Sequence, residues 1–414
     1  MKKLYASAAF LLLSLFTFSQ PYIPIDTSNG RYWNPNFFSN VTVTSGVVFG
    51  SSVGLNNQTV TLRMDIYTPT GDTVSERPVL IFAHGGSFIG GSRTDQDVVD
   101  LCNRFAKMGY VCASIDYRLG IGFPIDSINA SKAVMRATQD MKAAVRFFRY
   151  DFFQYNTYKI HPNYIFAGGS SAGAFMGLHL AYLDKPSEVP SWINLNQMGG
   201  LDGNSGNPGY SWHVNGVINL CGALGDSVWM EQNDVPFVSL HGTNDQTVPY
   251  GHAMLYIGTY PILVVDGSWS LNKRAINSGT PNSFYTFNGA DHIPYYGTSA
   301  ANIAYMDTTT DVVKTFLRPL LVQPSSTGVN EQKENISFSV YPNPSSENVF
   351  VDLNTSSAIN YKAQVLDIAG RTVQSFNVIS DHAHFSVAGL TAGVYFLRME
   401  NKEGVVVNKK FIVK

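Results

Sequence analysis

The sequence predicts an α/β protein with a mostly parallel sheet and helices on both faces, followed by a small all-β sandwich. Three observations support this prediction. Apolar, strand-like runs alternate with helical segments between residues 79 and 317, which is typical of a parallel sheet with crossover helices. Glycine-rich or polar loops follow directly where several of these runs end. Beyond residue 322 the composition changes, and short strand-like segments recur with turn residues between them.

The N-terminus has the organisation of a secretory signal peptide. Two lysines precede the apolar run Leu4–Phe18, and Thr17 and Ser19 are small enough for the positions before a cleavage site. Cleavage before Gln20 therefore assigns residues 1–19 to the signal peptide. A membrane anchor is less favoured because the run is shorter than the roughly 20 residues that span a bilayer, and no later segment is a spanning candidate. We expect an exported protein.

Composition and cysteine spacing bear on nucleic-acid binding, metal binding and disulfide formation. The 414 residues are 44% hydrophobic and 14% charged, with a net charge of −2, and without a cluster of basic residues we expect no nucleic-acid partner. The three cysteines, Cys102, Cys112 and Cys221, lack metal-type spacing. We expect no metal and no other cofactor. The cysteines permit one disulfide at most, and Cys102 with Cys112 is the nearer pair.

The elements of the main domain, residues 20–321, follow in order. Val41–Phe49 and Gln58–Tyr67 predict a half-exposed antiparallel pair, because apolar and polar residues alternate in the second segment. The continuous apolar run Val79–Ala83 predicts a strand buried on both faces. Helices are predicted over 95–108, about 128–153, from residue 172 onward, and about 301–317. Strands are predicted over 111–117, 214–220, 235–240 and 283–287, and a further strand leads into the serine motif described below. Two stretches, about 184–213 and about 260–280, are predicted to be irregular, and the first is long enough for a functional insertion or lid.

The remaining chain divides into a linker and a second domain. Residues 322–335 are rich in Gln, Pro, Ser and Glu, which is typical of a linker. Residues 336–414 contain six strand-like segments, predicted over 337–341, 349–353, 362–366, 372–378, 394–399 and 405–413.

A Gly-x-Ser-x-Gly pattern follows the apolar run at Ile165–Ala167. Its residues are Gly169, Ser170, Ser171, Ala172 and Gly173. Such a pattern between a strand and a helix presents a nucleophilic serine on a strained turn, where glycines avoid clashes between helix and strand. Ser171 is the central residue. Ser170 as the centre would have Gly168 and Ala172 as flanks, which breaks the pattern.

A serine nucleophile requires a general base. His292 follows the last predicted strand and comes after both the serine and the candidate acid, in the chain order Ser, Asp, His. His241 is the main alternative, although its position at the end of an apolar strand favours a local hydrogen bond that holds the acid's loop. His84 is more simply a residue that shapes a Gly-rich turn. We predict His292 as the base.

The base requires an acid that orients it. Asp245 follows the strand before the one that leads to His292, and the carboxyl ends of parallel strands meet at one edge of a sheet. Asp226, one strand earlier, and Asp291, directly beside the base, are the alternatives. Asp245 is the predicted acid.

Backbone N–H groups must also stabilise the oxyanion formed when an acyl carbonyl is attacked. The residue after the nucleophile, Ala172, supplies one such donor. Gly85 and Gly86, in the loop after the strand Val79–Ala83, are predicted to supply the others, because glycine lets the backbone approach a substrate closely.

These motifs resemble the α/β-hydrolase superfamily. The resemblance covers about residues 41–320 and rests on His84–Ser87, Gly169–Gly173, Asp245 and His292, with Asp116–Leu119 as a further similarity. Esterases and lipases with a His-Gly-Gly oxyanion loop are the nearest group, and among them bacterial carboxylesterases that include feruloyl and acetyl-xylan esterases. The resemblance implies a serine carboxylic-ester hydrolase that acts through an acyl-enzyme on a small-molecule or polysaccharide-linked ester.

Some questions stay open at this point. Ser87 stands where many relatives have a third glycine, so any of Gly85, Gly86 and Ser87 could be the donor. A prolyl-oligopeptidase-like serine peptidase is a second hypothesis, disfavoured because no propeller-sized N-terminal region is present. A non-catalytic binding or adhesion module is a third hypothesis, although such modules usually lack a triad member.

Five aromatic residues near the irregular stretches either line an acyl or aryl pocket or simply pack: Trp192, Tyr210, Trp212, Trp269 and Tyr285.

The C-terminal domain has its own resemblance. Tyr341–Ser345, Asp367–Arg371, Leu390–Tyr395 and the basic ending Lys409–Lys414 resemble the type A C-terminal sorting domain of the type IX secretion system. This resemblance implies recognition by the type IX secretion machinery of a Gram-negative bacterium after passage through the periplasm, and a secreted or cell-surface location. A carbohydrate-binding or spacer sandwich is the alternative.

Overall fold

The computed structural model describes residues 25–321, 337–354, 361–367, 371–380, 382–401 and 406–414. The chain divides into two compact units, Met1–Gln323 and Pro324–Lys414, which are described separately. The predicted signal peptide and linker lie outside the described residues. No helix in the described part of the chain is long and apolar enough to cross a membrane.

The first unit alternates strands and helices. Its strands are β1 (Val41–Val53), β2 (Thr59–Pro69), β3 (Arg77–Ala83), β4 (Val111–Ile115), β5 (Ile160–Ser170), β6 (Gly216–Leu220), β7 (Ala223–Leu224), β8 (Phe237–Gly242), β9 (His252–Ile257), β10 (Tyr260–Gly267) and β11 (Asn282–Phe287). Its α-helices are α1 (Gln96–Met108), α2 (Ser127–Gln154), α3 (Ala172–Tyr182), α4 (Ser268–Ser278) and α5 (Ala300–Leu321).

An eight-stranded sheet forms the centre of this unit, in the order β1-β2-β4-β3-β5-β6-β8-β11. The strands from β4 to β11 in that order pair in parallel, whereas β1 with β2 and β2 with β4 are antiparallel. One face packs against α2 and α3 through residues such as Met141 and Phe175, and the other against α1 and α5 through Phe105 and Leu317. The predicted fold class is confirmed. The carboxyl ends of β3, β5, β8 and β11 meet at one edge, where the site lies.

The prediction that residues 260–280 are irregular is wrong. This stretch contains β10 and α4, and β10 pairs with β9 and β7 in a second, three-stranded sheet. β7 pairs with β10 only at Asp266 and Gly267. Near Pro261 the strand therefore has a neighbour on one side only, where proline is tolerated. Helix α4 buries only Ser268, Leu271 and Ala275, which leaves a weak periodic signal.

The other irregular stretch contains two short 3₁₀ turns, Pro186–Glu188 and Asn196–Met198. Side chains of α2 hold its second half: Gln139, Lys142, Arg146 and Arg149 donate hydrogen bonds to backbone carbonyls between residues 198 and 213. This half is thus fixed to the domain, because its carbonyls gain charged or amide donors.

The second unit contains two antiparallel sheets. Its strands are β12 (Ser337–Tyr341), β13 (Asn348–Asn354), β14 (Tyr361–Leu366), β15 (Thr372–Val378), β16 (His382–Ser386), β17 (Gly393–Asn401) and β18 (Val406–Val413). The sheet orders are β12-β13-β16 and β15-β14-β17-β18, and their inner faces share a core that includes Val349, Leu397 and Phe411. The all-β prediction is confirmed, with β16 as a strand that the sequence reading missed.

Candidate active site

Ser171 lies on a strained turn between β5 and α3. Its backbone has φ 53° and ψ −116°, a conformation that costs energy for any residue with a side chain. A Cβ atom on Gly169 would lie 2.0 Å from the carbonyl oxygen of Ala83, and one on Gly173 only 1.9 Å from the same oxygen. The two flanking glycines therefore allow β3 to pack directly against the turn.

The structure separates the two adjacent serines. Ser170 is fully buried, and its hydroxyl oxygen accepts a hydrogen bond from the Tyr295 hydroxyl at 3.0 Å. Ser171 lies at the edge of a cavity, with its Oγ 2.9 Å from Nε2 of His292. Only the second serine contacts a base.

The three residues predicted to form a triad lie in hydrogen-bond contact. His292 Nδ1 is 2.7 Å from Oδ2 of Asp245, while its Nε2 faces the Ser171 hydroxyl. Since the carboxylate can only accept, Nδ1 carries the proton and Nε2 is free to accept from Ser171. This is the tautomer in which an imidazole can act as a general base toward a serine.

Asp245 is held by donors on both carboxylate oxygens. The backbone N–H groups of Thr247 and Val248 donate to Oδ1, each at 2.8 Å, and Nε2 of His241 lies 3.1 Å from Oδ2. Burial of the fully enclosed side chain raises the pKa of Asp245, but the hydrogen bonds from His241, His292 and the Val248 amide outweigh it and hold this pKa well below its ordinary value. The acid is therefore ionised at neutral pH.

The alternative acids make other contacts. Asp226 caps a short 3₁₀ turn by accepting from the Val228 amide at 2.9 Å. Asp291 accepts from the backbone amides of Gln246 and His292 at 3.0 and 2.7 Å. Among the described residues, neither carboxylate forms a hydrogen bond with the His292 ring, so the structure brings Asp245 alone of the three to the imidazole.

The His-Gly-Gly loop lies beside Ser171 and is held by Tyr117. A Cβ on Gly85 would lie 3.4 Å from Cβ of Ser171. The hydroxyl of Tyr117 donates to the carbonyl oxygens of His84 and Gly85, at 3.1 Å each, and the His84 ring stacks on Tyr117 with centroids 4.3 Å apart. Burial lowers the pKa of His84. His84 therefore shapes this loop, as predicted, and does not contact His292.

The structure also gives a role to the similarity at Asp116–Leu119. Tyr117 supports the His84–Gly86 loop, and Arg118 forms a buried ion pair with Asp140 of α2 at 2.8 Å. The residues of this motif therefore join the loop after β4 to the His84–Gly86 loop and to α2.

A cavity of about 380 Å³ opens beside Ser171. Its lining is mostly apolar and comes from α2, α3, the segment 190–193 and the β9–β10 hairpin; it includes Phe88, Met135, Phe175, Trp192, Trp229 and Leu263. Of the five aromatic candidates from the sequence, only Trp192 lines this cavity. Trp212 and Trp269 instead lie against Lys142 and Lys273, so of the two alternatives left open by the sequence, packing applies to these two residues.

His179 is a polar group in the cavity wall that sequence reasoning missed. It is 6% exposed, and its Nδ1 donates to the Phe175 carbonyl at 2.8 Å. Burial, partly opposed by that hydrogen bond, lowers the pKa of His179 to about 4, so the ring is neutral at pH 7. No partner is found for Nε2 among the described residues, which leaves a hydrogen-bond acceptor in an apolar wall.

One group of side chains has the composition of a metal site. Ligand atoms of Cys221, Asp245 and His292 lie within 4.8 Å of one another. Burial raises the pKa of the Cys221 thiol to about 12, and the protonated thiol is a poor ligand. Asp245 and His292 are hydrogen-bonded to each other, so this group fits a triad better than a metal. All three cysteines are unbridged and buried, and the possible Cys102–Cys112 disulfide is not formed.

Comparison with known families gives a match in each of the two units. Residues 64–224 match the family described as BD-FAE, and residues 339–414 match the secretion system C-terminal sorting domain.

Individual relatives are more distant. Carboxylesterase 3B of Mus musculus is 32% identical over 116 residues, which is 28% of this chain and 19% of that protein; the match spans about a fifth of the relative's length. Two similar solved structures are of Thermogutta terrifontis esterase 2. The one phosphorylated by paraoxon has 20% identity, covers 68% of this chain and 96% of that one, and has a TM-score of 0.49. The propionate-bound one has 20% identity, coverages of 67% and 95%, and a TM-score of 0.47.

Proposed function

We propose that this protein is an exported serine carboxylic-ester hydrolase. The observation that supports the proposal is the continuous contact from Ser171 through His292 to the buried, ionised Asp245, on a turn that only glycines at both flanks permit. Buried polar groups and a strained backbone lower the stability of a fold. Here they supply the nucleophile, the base and the acid that nucleophilic catalysis requires.

The reaction proceeds in two halves. The Ser171 oxygen attacks the ester carbonyl while its proton moves to Nε2 of His292, and the N–H groups of Ala172 and of Gly85 or Gly86 stabilise the oxyanion. His292 then returns the proton to the leaving alcohol as the C–O bond breaks, which leaves an acyl group on Ser171. A water molecule then attacks the acyl carbonyl while His292 takes its proton. The imidazolium passes that proton to the Ser171 oxygen as the acyl–serine bond breaks, which releases the acid and restores the serine. Asp245 stabilises the imidazolium in both halves.

The cavity limits the chemistry of the group beside the ester. Its wall is largely apolar, so a group that fills it gains about 0.8 kcal/mol for each buried methylene. An acetyl group would leave most of the about 380 Å³ empty. We therefore propose esters with a sizeable apolar chain or ring on this side, with His179 Nε2 available to accept from a hydroxyl group.

The first experiment tests the reaction. The wild-type protein should hydrolyse p-nitrophenyl butyrate, and Ser171→Ala should lower kcat at least about a thousandfold. Ser170→Ala is the matched control, because its hydroxyl is a structural hydrogen-bond acceptor. A fluorophosphonate probe should label the wild type and the control but not Ser171→Ala. Equal rates in wild type and Ser171→Ala would refute the proposal and favour a non-catalytic module.

A second experiment addresses the bond and the substrate. Matched p-nitroanilides with a proline before the scissile bond separate esterase from prolyl-oligopeptidase-like activity; we expect the esters to react far faster. Among esters, kcat/KM should rise from acetyl to larger apolar acyl groups. Acetylated xylan as the best substrate would contradict the proposed use of the cavity.

Export is proposed to depend on the C-terminal unit. The match of residues 339–414 to a sorting domain supports recognition by the type IX machinery in a Gram-negative cell, with the hydrolase placed outside it. In a host with that machinery, the full chain should appear at the cell surface or in the medium. A chain that ends before residue 339 should accumulate in the periplasm.

A further inference from the structure

Behind Asp245 lies a hydrogen-bonded chain of side chains that the proposed reaction does not use. Nδ1 of His241 is 2.8 Å from the Ser268 hydroxyl. Nδ2 of Asn219 is 3.1 Å from that same hydroxyl. All three residues are fully buried, and they come from β8, α4 and β6. Buried polar groups of this kind require every donor and acceptor to be matched.

The direction of each hydrogen bond follows from one backbone amide. The Gly222 N–H can only donate, and it reaches Oδ1 of Asn219 at 3.0 Å. The Asn219 amide nitrogen therefore faces Ser268 and donates to its hydroxyl oxygen. The Ser268 hydrogen is then available for Nδ1 of His241. His241 thus accepts at Nδ1.

The other side of the His241 ring faces two acceptors. Nε2 is 3.2 Å from the Val248 carbonyl oxygen and 3.1 Å from Oδ2 of Asp245. Neither atom can donate, so Nε2 must carry the hydrogen. The Val248 carbonyl and the Asp245 carboxylate therefore lie within reach of the same N–H. The hydrogen bonds of His241 therefore make Nε2 the donor and Nδ1 the acceptor.

We propose that His241 is a positioning residue that sets the orientation and the charge of the catalytic acid. One N–H group holds both the carboxylate of Asp245 and the turn that presents it, since the Val248 amide donates to the other carboxylate oxygen. The chain from Gly222 through Asn219 and Ser268 keeps that N–H in place. This inference rests on the proposed function, in which Asp245 orients His292.

A consequence for the pH dependence follows. The His241 N–H takes part of the carboxylate charge that would otherwise act on His292, so its loss should favour the protonated form of His292. The other titratable groups near His292 are Asp291, whose carboxylate accepts two backbone amides, and the protonated thiol of Cys221. Behind His241 lies the Tyr250 ring, 5.7 Å away between centroids.

Variants of His241 separate positioning from space filling. His241→Leu removes the N–H, and His241→Gln retains an amide N–H near the position of Nε2. We expect kcat for p-nitrophenyl butyrate to fall about a hundredfold in the Leu variant, as for a small misplacement of catalytic groups, with KM within about threefold of wild type. The acid limb of the kcat/KM profile should move to higher pH by about half a unit or more.

His241→Gln should recover at least about tenfold of the lost kcat and return the acid limb toward wild type. His161→Gln is the control, because His161 is also a buried histidine but lies near the start of β5, at the opposite end of that strand from Ser170. Equal losses in the Leu and Gln variants with an unshifted acid limb would overturn the proposal. So would a Leu variant with wild-type kcat.

A measurement without turnover keeps the inference separate from the proposed function. In ¹⁵N-histidine-labelled full-length protein, NMR should show the His241 hydrogen on Nε2 and none on Nδ1, as the hydrogen bonds to Val248 and Ser268 require. Ser268→Ala removes the donor to Nδ1 and should change this signal without altering the ring, which also serves if the His241 variants do not fold. A protonated ring, or an Nδ1–H tautomer in the wild type, would overturn the proposal even if the esterase is active.

Discussion

Gly173→Ala tests whether the turn at Ser171 depends on direct contact with β3. Gly173 lies in the first turn of α3, where alanine is a better helix former by about 1 kcal/mol, so backbone preference alone predicts a gain. The new Cβ would instead lie 1.9 Å from the Ala83 carbonyl oxygen, whereas real Cβ contacts are not found under 3.0 Å. Strand and helix must therefore separate by about 1 Å.

That separation would affect catalysis because Ala83 directly precedes His84–Gly86, the proposed oxyanion loop. A displacement of this size costs on the order of a hundredfold in rate, and overpacking costs about 1–3 kcal/mol of stability. We expect kcat/KM for p-nitrophenyl butyrate to fall about a hundredfold and the melting temperature to fall as well.

Gly90→Ala is the control for this change, because its Cβ would meet nothing within 4 Å. Circular dichroism should give wild-type spectra for both variants, with a lower melting temperature only for Gly173→Ala. A Gly173→Ala protein with wild-type kcat/KM would refute the reasoning, since the contact with Ala83 would then not determine the position of the oxyanion loop.

Three further predictions concern buried side chains. Asp245→Asn should lower kcat about ten-thousandfold, because an amide N–H facing His292 favours the wrong tautomer of the imidazole. The circular dichroism spectrum of this variant should remain that of the wild type. Burial raises the pKa of Asp97, so the contribution of Asp97 to stability is present in acid and is lost as the pH rises. The melting temperature of Asp97→Asn relative to that of the wild type should therefore increase from pH 4 to pH 8. A difference that stays constant over this range would contradict the prediction. His179→Phe should reduce, about tenfold or more, the preference for an ester whose cavity group ends in a hydroxyl over its methyl ether, measured as a ratio of kcat/KM values at pH 7.

The sequence predicted the parts of the fold that depend on local patterns. Val79–Ala83 is apolar throughout because the strand is buried on both faces, and the order of such strands along the chain placed their following loops at one edge. The contact of Ser171, His292 and Asp245 then follows from topology, since parallel strands bring these loops together. The adjacent Asp291 was a reasonable alternative in sequence, and only its backbone contacts separate it from Asp245.

Features that depend on distant packing were not predictable in the same way. The β9–β10 hairpin has mostly exposed or half-exposed side chains, so it lacks the apolar run that identified the central strands. Some of its side chains nevertheless line the cavity beside Ser171. His179 likewise lies on a helix that is apolar on every side, where nothing in the sequence shows that one ring nitrogen faces an open space.

The turn that follows β8 contributes both to the orientation of Asp245 and to the wall of the cavity. Val248 donates its amide to Asp245, accepts from His241 through its carbonyl, and lines the cavity with its side chain. The orientation of the acid and the shape of the cavity wall are therefore set by the same residue. Because the backbone groups do not depend on side-chain identity, the cavity wall can vary here while the acid keeps its donors. The buried chain of Asn219, Ser268 and His241 holds the same turn through the Val248 carbonyl.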